Sequence, residues 1–319
     1  MKTVAYVLSA GAGAFGALIL YRDKYVSVNY KGTEQLLGKT CVITGSNSGI
    51  GKEVARDFAQ RGARVVMACR DIKKCELARD EIINETNNTN VVCYECDLAS
   101  IESIKSFALR FNTEEKYLHI LVNNAGIMWH PQKLTKDGFE LHLGVNYLGH
   151  FLLTNLLIDK LAKCSPSRVV NLTSAAHKRG VIDFDDLNMS KKVYNAKYAY
   201  EQSELARVLF TREFCRRFSD KGVTSYAVHP GIVRSNISQY TIDNSIISGT
   251  IIGPFMSAFM KSSKTGAQNV IYCALDKSIE NECGKYYSDL TESKPSKEAL
   301  NDANAKRLWA ISERWTRLK

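Results

Sequence analysis

Short apolar runs alternate along this chain with longer stretches of helical periodicity. From residue 39 the β-like runs "KTCVITG", "ARVVMACR", "NVVCYECDL" and "LHILVNNAG" are separated by helical patterns such as "GKEVARDFAQRG" and "IESIKSFALRFNTE". A long helix through 145–163, the strand "SRVVNLTS", a helix over about 199–218 and the strand "VTSYAVHP" continue the series. This alternation is typical of βαβ units around a parallel sheet. It predicts one doubly wound α/β domain over residues 33–319.

The first residues have a different pattern. Thr3 to Tyr21 form 19 uncharged residues, followed by Arg22, Asp23 and Lys24. This length suits a membrane-spanning helix, although "SAGAGA" would also suit a cleaved secretory signal. The glycosylation sequon at Asn171 falls within a predicted core strand, which argues against secretion. We therefore expect residues 1–32 to be an uncleaved membrane anchor and its flank, with the domain on the cytosolic side and the endoplasmic reticulum as its membrane.

A second apolar segment follows the sixth predicted strand. Residues 235–264 are rich in Ile, Phe and Met. They are interpreted either as a core-packing helix pair or as a lid over an apolar substrate.

Charge and cysteine content narrow the partners and the compartment. The net charge of +10 favours anionic partners such as phosphorylated cofactors, acidic membrane surfaces or nucleic acid. No Arg-rich run, RNA motif or zinc-finger spacing supports nucleic acid. Nine cysteines without a framework pattern indicate a reducing compartment. Cys93 and Cys96 have CxxC spacing, but in a strand they point to opposite faces, so we expect neither redox nor metal chemistry from them.

The glycine-rich sequence "TGSNSGIG" lies between the first strand and the first helix. Glycines there let the backbone approach a pyrophosphate, and the N-terminus of the helix attracts its negative charge. The strand, the loop and the helix are all in the positions that this motif requires. The sequence therefore predicts a dinucleotide site that includes Gly45, Ser46, Asn47, Ser48, Gly49, Ile50 and Gly51.

The end of the second strand indicates which dinucleotide is bound. Arg70 follows the position where an NAD-binding protein usually offers a carboxylate to the ribose 2′-hydroxyl. An arginine can instead bind a 2′-phosphate, and Lys52 adds positive charge just beyond the glycine loop. Asp71 weakens the argument slightly because its carboxylate is adjacent. We predict NADP(H) as the cofactor.

These motifs, with "CDLAS", "LVNNAGIM", "VNYLGHFLLTNLL", "RVVNLTSAAH", "VHPGIVRS", "AQNVIYCAL" and "GKYYSD", identify a resemblance over residues 39 to about 315. The sequence resembles the short-chain dehydrogenase/reductase family, and most closely its retinol dehydrogenase branch. The resemblance implies a Rossmann fold with about seven parallel strands, NADP(H), and hydride transfer to or from an apolar alcohol or carbonyl compound such as a retinoid or another lipid aldehyde.

The resemblance also assigns roles to individual residues. Tyr200 would be the acid/base, Ser174 would orient the substrate oxygen, and Asn146 would hold a proton-relay water. Tyr194 in "YNAK" lacks the required three-residue gap before its lysine. The other expected cofactor contacts are Asp97, Leu98, Asn124, Ala125, Gly126, Tyr200, Pro230, Gly231 and Val233.

Glu204 stands where the family pattern has a lysine. Residues 200 and 204 share one helix face, and a unit charge about 5 Å from a phenol contributes on the order of 3 kcal/mol at an effective dielectric of ~20. The glutamate can accept hydrogen bonds from ribose hydroxyls, but it cannot acidify Tyr200. Arg207, on the same stripe of the helix, is a candidate to pair with Glu204 and restore positive charge; a plain surface charge is the alternative.

Two functions remain open at the level of sequence. The first is a membrane-anchored NADP(H)-dependent enzyme that favours carbonyl reduction, because reduction needs a protonated tyrosine. The second is a cofactor-binding protein with weak or no catalysis. The oligomeric state is not indicated by the sequence.

Overall fold

A computed structural model describes residues 29–233 and 260–318. Its centre is an eight-stranded sheet with the order β3-β2-β1-β4-β5-β6-β7-β8. The predicted parallel α/β sheet of about seven strands is confirmed, because the first seven are parallel. A two-residue eighth strand, missed in the sequence, pairs antiparallel with β7. The strands are β1 Thr40–Thr44, β2 Arg64–Cys69, β3 Val91–Glu95, β4 Ile120–Asn123, β5 Ser167–Leu172, β6 Val223–His229, β7 Tyr286–Ser288 and β8 Thr291–Glu292.

Helices cover both faces of the sheet, as expected for a doubly wound domain. The described α-helices are α1 Gly49–Gln60, α2 Ile72–Thr86, α3 Ile101–Glu114, α4 Gly149–Leu156, α5 Ile158–Lys163, α6 Ala196–Phe218, α7 Ser263–Leu275 and α8 Asp302–Trp315. One core packs α3, α4, α6 and α8 against the sheet, and the other packs α1, α2 and α7. All residues of β1 and β5 are buried, as expected for central strands of a parallel sheet that is covered on both faces.

Strand β1 is bonded to β2 on one side and to β4 on the other. The chain reverses its direction of growth there, so the carboxyl ends of β1 and β4 open into the crevice where such sheets bind ligands. The glycine-rich loop follows β1 and the "NNAG" turn follows β4. The topology therefore brings two of the predicted cofactor segments together.

The long helix predicted over 145–163 is interrupted. Residues Leu143–Leu148 form a π-helix, α4 follows directly, and the chain breaks again at Leu157 before α5. A π-turn inserts one extra residue into the helical ladder and is frequent at functional sites. Asn146 lies within this π-turn, so the departure from α-helical periodicity coincides with a predicted site residue.

Among the described residues, two cysteine pairs lie at disulfide distance, Cys75–Cys93 and Cys215–Cys283. The sequence analysis did not predict this pairing, and the expected reducing compartment stays a prediction. The sequence could not show the pairing because each partner is distant in the chain or lies in another element. Within the described ranges, no cluster of His, Cys, Asp and Glu could hold a metal ion.

The predicted anchor at residues 1–32 lies almost wholly outside the described residues, and so does most of the predicted lid at 235–264. The last lid residues are described: α7 begins at Ser263 and packs in the core beside α1. Of the helices in residues 29–233 and 260–318, none is long and apolar enough to cross a membrane. The anchor and the lid stay predictions.

Candidate active site

The glycine-rich loop turns tightly against the "NNAG" segment. Gly45 has a φ of +63°, and a Cβ there would lie 3.0 Å from Ala125. A Cβ at Gly51 would lie 2.5 Å from Asn124 Nδ2 and 2.7 Å from the Gly45 carbonyl oxygen. Only glycine fits at Gly51 without moving the backbone, so α1 can approach β4 closely and direct its N-terminus into the crevice.

The N-terminus of α1 retains its capacity to bind an anion. Ser48 is the N-cap residue, but its side chain makes no capping hydrogen bond, and the first turn contains no acidic residue. The Ser46 hydroxyl donates a hydrogen bond to the Ile43 carbonyl at 2.9 Å, which holds the glycine-rich loop against the end of β1. Ile50 packs against the core, while Asn47 is partly exposed. Free N–H groups and the positive end of the helix dipole suit a pyrophosphate.

Arg70 is exposed directly after β2. The adjacent carboxylate of Asp71, which weakened the prediction that Arg70 binds a 2′-phosphate, caps α2. It accepts a hydrogen bond from the Lys74 N–H at 3.1 Å. Lys52, expected to add positive charge, forms an ion pair with Glu81. Arg70 is therefore better placed than Lys52 to bind a 2′-phosphate.

Thr44, which the sequence analysis did not single out, joins the two cofactor segments. Its hydroxyl accepts hydrogen bonds from the N–H groups of Asn124 at 2.9 Å and Ala125 at 3.0 Å. Asn124 also donates its amide to the Thr44 carbonyl at 2.7 Å. Gly126 follows in the same turn, partly exposed to the crevice. The threonine that ends β1 thus sets the conformation of the turn that ends β4.

The remaining predicted cofactor residues lie along the same edge of the sheet. Asp97 follows β3, and its Oδ1 accepts a hydrogen bond from the Ala99 N–H at 3.0 Å. Its Oδ2 lies 3.6 Å from Lys136 Nζ. Leu98 is buried in the core, so its backbone, not its side chain, is available to a ligand. Beyond β6, Val233 forms an isolated β-bridge with Lys261. The side chain of Lys261 packs against Gly231, which has a φ of +87°. Pro230, which precedes Gly231, is partly buried.

Tyr200 and Ser174 come together at the carboxyl ends of β5 and β6. Ser174 follows β5, and Tyr200 lies in the first turns of α6, which Asn195 caps by accepting N–H bonds from Lys197 and Tyr198. Tyr200 is only 8% exposed. Burial raises the pKa of its phenol most, and Glu204 raises it further; the Ser174 hydroxyl and Arg207 lower it, with a clear net rise. The phenol is therefore protonated at neutral pH.

The polar atoms of the Asn146 side chain all have protein partners. Its Oδ1 accepts a hydrogen bond from the Ile127 N–H at 2.9 Å, and its amide lies 2.9 Å from Ser203 Oγ and 3.4 Å from Glu204 Oε1. The main-chain carbonyl oxygen of Asn146 lies 2.5 Å from Arg207 Nε and 2.9 Å from His150 Nδ1. A carbonyl oxygen has two lone pairs, so a relay water there would have to displace one of these bonds.

Glu204 and Arg207 form a buried ion pair, which was one of the two alternatives that the helix stripe left open. Glu204 Oε1 lies 3.6 Å from Arg207 Nη1, and the residues are only 2% and 5% exposed. Burial raises the pKa of Glu204, and Arg207 partly opposes that rise. Burial lowers the pKa of Arg207, and Glu204 opposes that shift. The alternative in which Arg207 is a surface charge is wrong.

His150, absent from the sequence analysis, connects this pair to the cofactor segments. Its Nε2 lies 2.9 Å from Thr44 Oγ1. Its Nδ1 lies 2.9 Å from the main-chain carbonyl oxygen of Asn146 and 3.2 Å from Arg207 Nη2. Burial first, and then Arg207, lowers the pKa of His150 to about 3, so the ring is neutral. An isolated histidine inside an apolar run gave no signal in the sequence.

Tyr194 lies near the site but has a different environment from Tyr200. Its hydroxyl donates to Glu140 Oε1 at 3.0 Å and lies 3.2 Å from both His142 Nδ1 and the His130 carbonyl. Glu140 also accepts N–H bonds from His142 and Leu143 at the start of the π-helix. This tyrosine therefore tethers the segment before α6, in agreement with the sequence analysis, which set it apart from the acid/base.

Comparisons with known proteins agree with this arrangement. The short chain dehydrogenase family model matches residues 39–245. Retinol dehydrogenase 13 from Mus musculus is 47% identical over 94% of this chain and 90% of its own length. Retinol dehydrogenase 12 from Homo sapiens is 50% identical over 87% of this chain and 86% of its own.

A solved structure from Mycobacterium paratuberculosis superposes with a TM-score of 0.72 at 33% identity, covering 91% of this chain and 98% of that one. The family match spans the segments from β1 to Val233 that build the candidate site. The chain belongs to the short-chain dehydrogenase/reductase family, in its retinol dehydrogenase branch, and is an oxidoreductase resembling the retinol dehydrogenases.

Proposed function

We propose that this protein is an NADP(H)-dependent reductase of retinal-like or other lipid aldehydes. The observation that carries the proposal is the buried, protonated Tyr200 beside Ser174, at the sheet edge where the anion-binding end of α1 also opens. The names of the relatives, which are retinol dehydrogenases, support a retinoid as substrate.

The chain's own residues have distinct tasks in this reaction. The loop from Gly45 to Gly51 and Arg70 bind the cofactor, and Ser174 hydrogen-bonds the substrate oxygen. Tyr200 delivers a proton to that oxygen as it becomes an alkoxide. NADPH, when bound, supplies the hydride. Because its raised pKa keeps Tyr200 protonated, the residue is suited to act as an acid in reduction more than as a base in oxidation.

A second candidate function is favoured by one observation. Glu204 raises the pKa of Tyr200, whereas the lysine of the family pattern would lower it. A Rossmann domain that binds NADPH tightly without useful turnover would also be consistent with this site. Measured reduction of an aldehyde distinguishes the two functions.

The test of cofactor and substrate combines binding with turnover. Purified protein is titrated with NADPH and with NADH, and the reduction of all-trans-retinal, a long-chain aldehyde and a steroid ketone is followed. We expect NADPH to bind at least tenfold more tightly than NADH, with retinal reduced at a rate that Tyr200→Phe abolishes.

Arg70→Gln provides the matched control for the cofactor. Losing one charged hydrogen bond to a phosphate costs about 1.5–3 kcal/mol, so NADPH affinity should fall about 10- to 100-fold while NADH affinity stays unchanged. Equal affinity for both cofactors in the wild type would refute the NADP assignment. Tight NADPH binding without reduction of any of the three substrates would instead support the second function.

A further inference from the structure

The buried cation beside Tyr200 is bound to two segments as well as to Glu204. Arg207 donates from Nε to the Asn146 carbonyl at 2.5 Å and from Nη2 to the Ala125 carbonyl. Asn146 belongs to the π-helix and Ala125 to the turn after β4. One guanidinium thus joins α6 to the π-helix and to the turn after β4.

The charge of Arg207 is balanced locally by one carboxylate. The groups that face it are Glu204 and Tyr200 on its own helix, the neutral His150 on α4, and the carbonyls of Asn146 and Ala125. Among the described residues, the carboxylate that forms an ion pair with Arg207 is that of Glu204. Removing one partner of a buried pair leaves an uncompensated charge and is strongly destabilising.

Because Glu204 balances the charge of Arg207, a lysine at position 204 would affect more than the pKa of Tyr200. A lysine at position 204 would place a second cation three residues from Arg207, on the same buried stripe of α6. Neither charge would then have a carboxylate partner. Converting Glu204 to the family's residue alone should therefore damage the site instead of restoring it.

We propose that Glu204 and Arg207 act as one unit, in which Arg207 is a positioning residue that fixes Asn146 and Ala125 relative to Tyr200. A lysine is tolerated at position 204 only when residue 207 is made neutral. The activity part of this proposal rests on the proposed reductase function, whereas its stability part does not.

The test is a double-substitution cycle with wild type, Glu204→Lys, Arg207→Gln and the combined variant. Thermal unfolding, NADPH binding, the rate of retinal reduction and the pH dependence of retinol oxidation are measured for each protein. Glu114→Lys, which breaks the exposed Arg110–Glu114 pair, is the control for a charge reversal on a helix surface. Glu204→Gln replaces Glu204→Lys in the cycle if the latter does not fold.

We expect each single substitution to lower the thermal midpoint by about 5 °C or more and to weaken NADPH binding at least tenfold, with little change in Glu114→Lys. The combined variant should regain most of both losses, because it removes the repulsion between two buried cations and its lysine can bind the ribose hydroxyls of the cofactor. It should also oxidise retinol at a pH at least one unit lower than wild type, because its lysine acidifies Tyr200. A merely structural pair would not shift this pH profile.

Two results would overturn the proposal: additive effects on the midpoint, or a Glu204→Lys protein as stable and as active as the combined variant. Failure of the reductase function gives a different result. In that case no variant reduces retinal, while the midpoints still show the non-additive recovery.

Discussion

The proton of Tyr200 is controlled by three neighbours with opposing effects. Burial and Glu204 stabilise the neutral phenol, while Ser174 and Arg207 favour the phenolate. Glu204 is the closer charge in sequence and Arg207 lies one turn further on, beyond the carboxylate. The balance therefore keeps the proton on the tyrosine, which is the state required to protonate a carbonyl oxygen.

Two tyrosines near the site allow a direct test of this assignment. Tyr200→Phe should reduce retinal turnover by about 10²- to 10⁴-fold, the usual contribution of a general acid, with NADPH affinity nearly unchanged. Tyr194→Phe should retain turnover, but should lose about 1–2 kcal/mol of unfolding free energy because buried Glu140 loses a donor. Single-turnover kinetics and urea unfolding measure both. Equal loss of turnover in the two variants would contradict the assignment.

At the scale of elements, α4 connects more segments than its eight residues suggest. His150 reaches Thr44 at the end of β1 and the Asn146 carbonyl in the π-helix, and it touches Arg207 of α6. Burial and the neighbouring Arg207 guanidinium disfavour a positive charge on its imidazole, so the ring is neutral in the folded protein. The attachment of α4 to the site is therefore sensitive to acid.

The stability of the protein should fall below pH 6.5 because of this histidine. The pKa of His150 is depressed to about 3 in the folded protein, so the unfolded chain takes up the proton first as the pH falls. Between pH 7.5 and 5.5 the unfolding free energy should drop by about 1.4 kcal/mol from His150 alone.

Urea unfolding of His150→Gln at the two pH values checks this expectation. The variant should be less stable at pH 7.5, yet should lose about 1.4 kcal/mol less than wild type on acidification. His229, whose pKa burial lowers to about 4, remains in the variant and accounts for part of the residual loss. An identical loss in both proteins would refute the role of His150.

The elements differ in how well the sequence predicts them. Strands β1 to β6 and helices α1 and α3 follow from the alternation of apolar runs with helical periodicity, and they agree within a few residues. The break between Leu143 and Ile158 could not be predicted, because a π-turn depends on tertiary bonds such as Asn146 to Ile127 and not on local propensity. Strand β8 is too short to give a period.

At the scale of the whole molecule, sequence motifs predict which segments form the candidate site, but they do not predict the charges that surround Tyr200. The switch point between β1 and β4 unites the glycine loop with "NNAG", as a doubly wound topology requires. Helical spacing made Arg207 a candidate partner of Glu204. That Arg207 is buried and bound to Asn146 and Ala125 did not follow from this spacing, because those contacts cross between elements distant in sequence.

The central claim is that Tyr200, beside Glu204, acts chiefly as a proton donor, and the pH dependence of both reaction directions tests it most directly. At saturating cofactor between pH 6 and 8, retinal reduction should vary little, whereas retinol oxidation should rise about tenfold per pH unit with the tyrosinate fraction. Retinol oxidation that reaches a plateau near neutral pH, at a rate matching retinal reduction, would contradict the account.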